Sequence, residues 1–548
     1  MLLFIVIVLL YSAYKWLTKN DDFFLKRGIH YEKPLPIVGN LLGLVLQRES
    51  FVDVVQKTYV KYKKSKIFGF FSFTQAGYML SDPELIKTVL IRDFDHFVNH
   101  DQCFDYIDKM FCKTLYSLHD QQWREMRMLI VRLTLPLVGS SKAFVIFRIL
   151  SPIFTSTKIK TMFDLLSDHA ADFLMQFKRK AANDVDVYDL FSRYTADVTS
   201  TAVLGFEGDC VKNDNSEIYK IVKSMKEVFN TFSSLLKFLL LSFSKKLYAA
   251  SGFQLVNKNV LDFLRIVTID AMRDREKSNI SRPDIIQLLL EVRRSKGHLR
   301  SQDEDINDDE LRNFSAHKEF NVTTSKRTTS LDMNDEDLWV AQTFIFFIAG
   351  FHTTTHLLQT LTYELAKNQD VQQELYEEIQ EVLTSMDGKP VTYETLHKMK
   401  YIDCVISEGL RAYPPAVQID RFCNKPINLA LDNGKSIHIT KGQAVAVPVY
   451  NVHHDPDYFP NPEKFDPTRF NDENKSSIVV GSYIPFGLGP RACIGSRFAL
   501  MASKLLIFNL LANYKIETAK NTPKTLTFKS DLSSSVKEKI YLKFVARN

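Results

Sequence analysis

Phe486-Gly487-Leu488-Gly489-Pro490-Arg491-Ala492-Cys493-Ile494-Gly495 decides how this 548-residue chain is read. A cysteine that holds a metal as thiolate needs a bent backbone that brings amide N–H groups toward sulfur. Glycines allow that approach, and a nearby cation can neutralise a bound anion. Here Gly487, Gly489 and Gly495 bracket Cys493, and Arg491 stands two residues away. Two other readings compete. Cysteine is often plain packing material. Gly487-x-Gly489-x-x-Ala492 also fits the loose dinucleotide fingerprint, which needs a preceding strand, a following βαβ unit and an acid about twenty residues on. Pro490 removes a phosphate-facing N–H, no acid lies between Arg491 and Ile516, and too little chain follows. The fingerprint fails.

The pattern F-G-x-G-x-R-x-C-x-G resembles the haem-binding loop of the cytochrome P-450 monooxygenases. The resemblance implies haem b (iron protoporphyrin IX) with Cys493 as thiolate axial ligand, a ligand that pushes electron density toward O–O cleavage. It also implies that Phe486, Gly487, Gly495 and Arg491 help to bind the cofactor.

Working outward, residues 335–367 contain no Pro and one Gly, enough for a helix of roughly 50 Å at 1.5 Å per residue. Asn334 and the acids Asp335, Glu336 and Asp337 predict a capped, dipole-matched start. The centre, Ala349-Gly350-Phe351-His352-Thr353-Thr354, is similar to the family pattern [A/G]-G-x-[D/E]-T-T. Small residues such as Ala349 and Gly350 let a flat macrocycle lie against backbone, and Thr353 is the implied oxygen-side hydroxyl. His352 replaces the family's carboxylate. An imidazole with an unperturbed pKa near 6.5 can relay protons, but it cannot make an acid's salt bridges, so two readings of His352 stay open, a tuned relay and a passive substitution or damaged site.

Glu408 and Arg411 share a helix face at i,i+3 spacing, and the helix should stop at Pro414-Pro415. With Pro467-Thr468-Arg469-Phe470 they resemble the family's E-x-x-R plus P-x-R-F lock, a structural network rather than a catalytic one. Trp123 and Arg127 resemble its W-x-x-x-R helix. Together with Arg421, in an expected strand, and Arg491, they are the implied contacts of the haem propionates. Phe104, Phe111 and Leu115 are expected to line the substrate cavity.

The chain carries 70 basic and 64 acidic residues, a net charge of +6, too mild for a nucleic-acid-binding signature. Its six cysteines include no C-x-x-C pair, which excludes a zinc site or disulfide framework. Residues 2–14 are almost wholly apolar and, counted to Leu17, reach the lower limit for a spanning helix. Lys15, Lys19, Lys26 and Arg27 follow, so the positive-inside rule puts the body in the cytosol. The expected organisation is a membrane anchor over 1–20, a linker and Pro-rich hinge over 21–40, and one catalytic domain over 41–548. Within that domain 301–337 reads as a polar loop. Residues 128–149 lengthen the chain where the family runs on directly, either as a real apolar insertion or as intronic sequence carried into the reading frame.

The resemblance implies a single, mainly α prism with a smaller β portion, preceded by an N-terminal transmembrane helix in the endoplasmic reticulum. The implied partners are an NADPH-dependent cytochrome reductase, cytochrome b5, membrane lipid and a lipophilic small molecule. The implied reaction inserts one atom of O2 into that molecule. Two rivals stay open: a thiolate-haem isomerase or dehydratase that needs no O2 activation, and a haem-binding pseudoenzyme.

Overall fold

The structure is a computed structural model that describes residues 1–100, 109–132, 156–180, 184–225, 237, 240–241, 244, 247–248, 251, 256–294, 330–431 and 434–547. Phe104, most of the 128–149 segment and the 301–329 part of the polar loop lie outside the described residues. Helix dominates, and the fold is that of a mainly α protein with three small sheets among the described residues.

The described strands are β1 (Ile67–Ser72), β2 (Gln75–Leu80), β3 (Val185–Asp186), β4 (Ile419–Phe422), β5 (Ile427–Ala430), β6 (Ser436–Ile439), β7 (Ala444–Val447), β8 (Tyr514–Thr518) and β9 (Tyr541–Ala546). One sheet runs β1-β2-β7-β4, a second β3-β9-β8, and β5-β6 form a hairpin. In the first sheet Asp420 pairs with Ala446 and Phe422 with Ala444. Alternate residues of a strand share a face, so these four side chains stand on one side of the sheet while Arg421 and Val445 stand on the other. The helices pack into one large apolar core and the sheet into a second.

The helix Glu336–Lys367 crosses the helical core and is buried along most of its length. Asp335 caps it, its carboxylate accepting from the Asp337 N–H at 3.0 Å, so the cap lies one residue after Asn334. Glu336 pairs with Arg273 at 3.0 Å and Asp337 with Arg265, which ties this first turn to the helix Lys258–Ser278. The helix Tyr401–Ala412 ends just before the Pro414-Pro415 pair, as expected.

At the N-terminus the expected apolar helix forms over Leu2–Leu17. Its 16 residues span about 24 Å, against a hydrocarbon core of about 30 Å. Among the described residues no helix is long and apolar enough to cross a membrane. The Pro-rich stretch is docked rather than free. The Asn40 carbonyl oxygen of the side chain accepts from the Phe71 N–H at 2.7 Å. Gly39 sits at φ +61°, and a Cβ there would lie 2.3 Å from the Phe73 carbonyl oxygen.

Candidate functional site

The Cys493 loop is shaped by its glycines. Gly487 and Gly489 hold φ of +76° and +75°, a region costly for residues with a Cβ. The resulting turn lets the Cys493 N–H donate to the Phe486 carbonyl at 2.8 Å and the Ala492 N–H to that of Gly489 at 2.9 Å. At Gly489 a side chain is sterically impossible without movement, because a Cβ would stand 1.9 Å from the Leu90 carbonyl oxygen. Gly495 then starts the helix Ser496–Asn513. Cys493 is exposed to solvent-sized space, yet burial is the main influence on its thiol and pushes it up. The sulfur therefore faces an interior space. The Gly495 N–H and the Arg127 cation pull the other way.

Arg491 stands behind this loop. Its guanidinium donates to the carbonyls of Val98 (2.9 Å), Leu115 (3.2 Å), Tyr116 (3.0 Å) and Leu118 (2.6 Å). It also lies 4.1 Å above the Trp123 ring, a cation–π contact. Arg127 donates to the Ala492 carbonyl at 3.0 Å. Arg421 is buried, donates to its neighbour's carbonyl at 2.7 Å, and has an Nε without a partner among the described residues. Burial holds Arg127 down to about 10; burial and the cations of Arg421 and Arg127 hold Arg491 down to about 8. Three cations, Arg421 buried and Arg127 and Arg491 half-buried, thus meet with no carboxylate in salt-bridge distance among the described residues.

A cavity of about 790 Å³ lies alongside. Its wall includes Phe111, Ile348, Ala349, His352, Thr353 and Gln418, with Asp420, Phe422, Ala444 and Ala446 from the sheet face described above. Cys493 and Leu115 are not among the lining residues; Leu115 is buried, its N–H donating to Gln342 at 2.8 Å. The Thr353 hydroxyl donates to the Ala349 carbonyl one turn back at 2.8 Å. Gly350 also stands apart from the cavity: a Cβ there would meet Thr199 at 3.0 Å, so this glycine admits the helix Val187–Thr199.

The third element is buried. Glu408 binds Arg411 through two 2.8 Å bonds, and both side chains are closed to solvent. Arg469 stands 3.5 Å from the same carboxylate and donates to the Pro460 (2.7 Å) and Asn461 (2.9 Å) carbonyls. An open interior thiol, three cations beside it that make no salt bridge among the described residues, and this closed triad now stand in one structure, and the family model for cytochrome P450 matches residues 29–544.

The chain belongs to the cytochrome P450 family.

Its relatives include the probable cytochrome P450 9f2 of Drosophila melanogaster, 36% identical over 98% of this chain and 97% of that one. Cytochrome P450 9e2 of Blattella germanica is 37% identical over 95% of this chain and 92% of that one. Cytochrome P450 6k1 of the same species is 31% identical over 95% and 92%. This cytochrome P450 is a haem-thiolate monooxygenase, and its cofactor is haem held by cysteine. The residues present fit that group. Cys493 is a soft donor open to interior space, and Arg127, Arg421 and Arg491 can receive the two propionates, Arg421 with an unused N–H.

Sequence reading located these residues but missed three that connect them. His100 stacks on Tyr116 with centroids 4.2 Å apart, and its Nδ1 lies 3.1 Å from Asp420. The Tyr116 hydroxyl approaches the same carboxylate at 3.4 Å. A lone histidine carries no motif. Only the position of Asp420 beside Arg421, in a strand whose alternate residues face the cavity, could have pointed to it.

Proposed function

We propose that this cytochrome P450 oxygenates lipophilic small molecules at the endoplasmic reticulum membrane, drawing electrons from NADPH through a flavoprotein reductase, with cytochrome b5 as a second donor. The observation that carries this reading is the apolar cavity of about 790 Å³ bounded by Ala349, His352 and Thr353. Cavities of this size and lining suit lipophilic ligands with few polar anchors. Bound haem would supply the oxygen chemistry, one atom of O2 going to the substrate and the other to water.

Each side chain has a distinct part. Cys493 is the thiolate ligand; coordination deprotonates a thiol that burial alone keeps protonated. Phe486, Gly487 and Gly495 shape its loop. Arg127, Arg421 and Arg491, with Trp123 beneath Arg491, orient the cofactor through its carboxylates. Thr353 holds a hydroxyl at the cavity wall, and its oxygen can accept a proton donor's hydrogen bond while its hydrogen points to Ala349. His352 moves protons to that point. Ala349 leaves room for the reacting group, and Gly350 sets the packing that fixes this stretch. Glu408, Arg411 and Arg469 hold the loops around Cys493. The helix Leu2–Leu17, with Lys15 and Lys19 snorkelling at its end, fastens the body to a bilayer that thins locally to match its short apolar length.

Co-expression with a membrane-bound reductase tests the reading: NADPH-dependent, CO-sensitive oxygenation of compounds from a broad lipophilic panel is the expected result. Normal ligand binding without turnover across the panel would contradict it.

A further inference from the structure

Three crowded arginines against two propionates leave one positive charge in excess. Asp420 is the carboxylate whose field acts on both Arg421 and Arg491. It stands on the cavity wall, one residue before Arg421 in β4. The Asp420 carboxylate only accepts, so the His100 Nδ1 that meets it at 3.1 Å carries the hydrogen, and Arg421 Nη1, 3.5 Å from the same nitrogen, lies beside the ring without bonding to it. The ring is held flat against Tyr116, at an interplanar angle of 16°. Tyr116 in turn gives its backbone carbonyl to Arg491 and directs its hydroxyl at Asp420. His100, Tyr116 and Asp420 thus form one frame joined to the arginine cluster. Burial keeps His100 neutral, its value down at about 4, so the frame brings a single net negative charge.

We infer that Asp420, fixed by His100 and Tyr116, is a positioning and charge-balancing residue that sets the electrostatic environment of the propionates and, through it, the reduction potential of the haem. The inference rests on the haem reading above. With Asp420 ionised, the three guanidinium groups and one carboxylate sum to two positive charges, equal and opposite to two propionates. The ferric thiolate porphyrin is itself neutral, and adding an electron makes it negative. A fixed carboxylate nearby opposes that electron, at a strength that interior dielectric preserves.

Asp420→Asn keeps the shape and removes the charge. Redox titration of the haem-loaded protein should show a higher reduction potential. Loss of haem to apomyoglobin should become roughly fivefold slower or more, because the cation cluster is then uncompensated. Asp420→Glu should return both values toward wild type. His100→Phe, which keeps the stack on Tyr116 but loses the donor, should fall between. An unchanged potential in Asp420→Asn, with the red-shifted Soret band of the reduced CO form intact, would overturn the inference alone. A wild-type protein that takes up no haem would overturn the proposed function and this inference together. Equal shifts in Asp420→Asn and Asp420→Glu would also refute it, since a purely steric role moves both.

Discussion

Around Cys493 nearly every contact is local or is made by arginines aimed at backbone carbonyls, whereas the cavity wall is assembled from β2, the Glu336–Lys367 helix, the 415–422 stretch and the 532–539 stretch. The first region is specified by residue types that few other sequences could replace: glycines at positive φ, a thiol, a guanidinium with four acceptors. The second is specified by shape, which many apolar residues supply equally well. One region therefore tolerates almost no change, and the other should change its preferences without losing its fold.

The sharpest contrast is in the Glu408–Arg411–Arg469 triad, which reaches the start of the Cys493 loop through His453, bonded to both Arg411 and Ile484. Glu408 and Arg411 are 0% and 1% exposed. Glu408→Ala should lower stability by about 3–5 kcal/mol, because it strands a buried guanidinium; denaturant unfolding and haem content measure it. A cost as small as that of a surface pair, under about 1 kcal/mol, would show that the triad is not the support described.

Acid should act next, on buried histidines of both regions, His356 being part of the cavity wall. Burial pushes His100 and His356 down to about 4 and His454 to about 3, and holds His453 well below the usual range. The Ile484 N–H donates to His453 Nε2 at 3.0 Å, which requires an unprotonated nitrogen just before the Cys493 loop. These rings stay neutral in the fold but take up a proton when unfolded below about pH 6.5. The unfolded chain then binds more protons, so stability falls as pH drops from about 6.5 toward the folded values. The decline is up to about 1.4 kcal/mol per pH unit for each ring. Thermal unfolding across this window should show it, and a flat profile would mean that the histidines are charged in the fold.

The two positive-φ glycines separate backbone strain from steric contact. Gly489→Ala has to move Leu90, whereas at Gly487 the nearest atom to a new Cβ is 3.6 Å away. Gly487→Ala should cost about 1–2 kcal/mol for the left-handed conformation alone, and Gly489→Ala more. Equal losses in haem retention would remove the contact with Leu90 from the account.

On the cavity side the effects should be on chemistry and small in stability. His352→Asp restores an acid beside Thr353 and should increase product formed per NADPH consumed, with a change in unfolding free energy within about 0.5 kcal/mol. No gain in that ratio would leave His352 without a relay function.

The same contrast explains what was legible beforehand. Cys493, Arg491, Glu408, Arg411, Trp123 and Arg127 could be named as candidates because a fixed geometry demands fixed residue types at fixed spacing. The strand carrying Arg421 was expected beside the resemblance, six residues after Pro415, and the helix bounds near 336 and 412 followed from caps and prolines. His100, Tyr116 and Asp420 could not be paired from sequence, since about 320 positions separate the histidine from its carboxylate. Gly350 was read as part of the oxygen side, yet its missing Cβ faces Thr199; one-letter patterns do not say which side of a helix a glycine serves. The cap at Asp335 rather than Asn334 is a one-residue matter of which side chain reaches an N–H.

The central claim is that sulfur from Cys493 is the donor to iron. A carbon monoxide difference spectrum of the reduced protein, recorded for wild type and Cys493→Ser side by side, tests it most directly. A red-shifted Soret band in the wild type that vanishes in Cys493→Ser is the predicted result; its absence from the wild type, or its persistence after the substitution, would contradict the account.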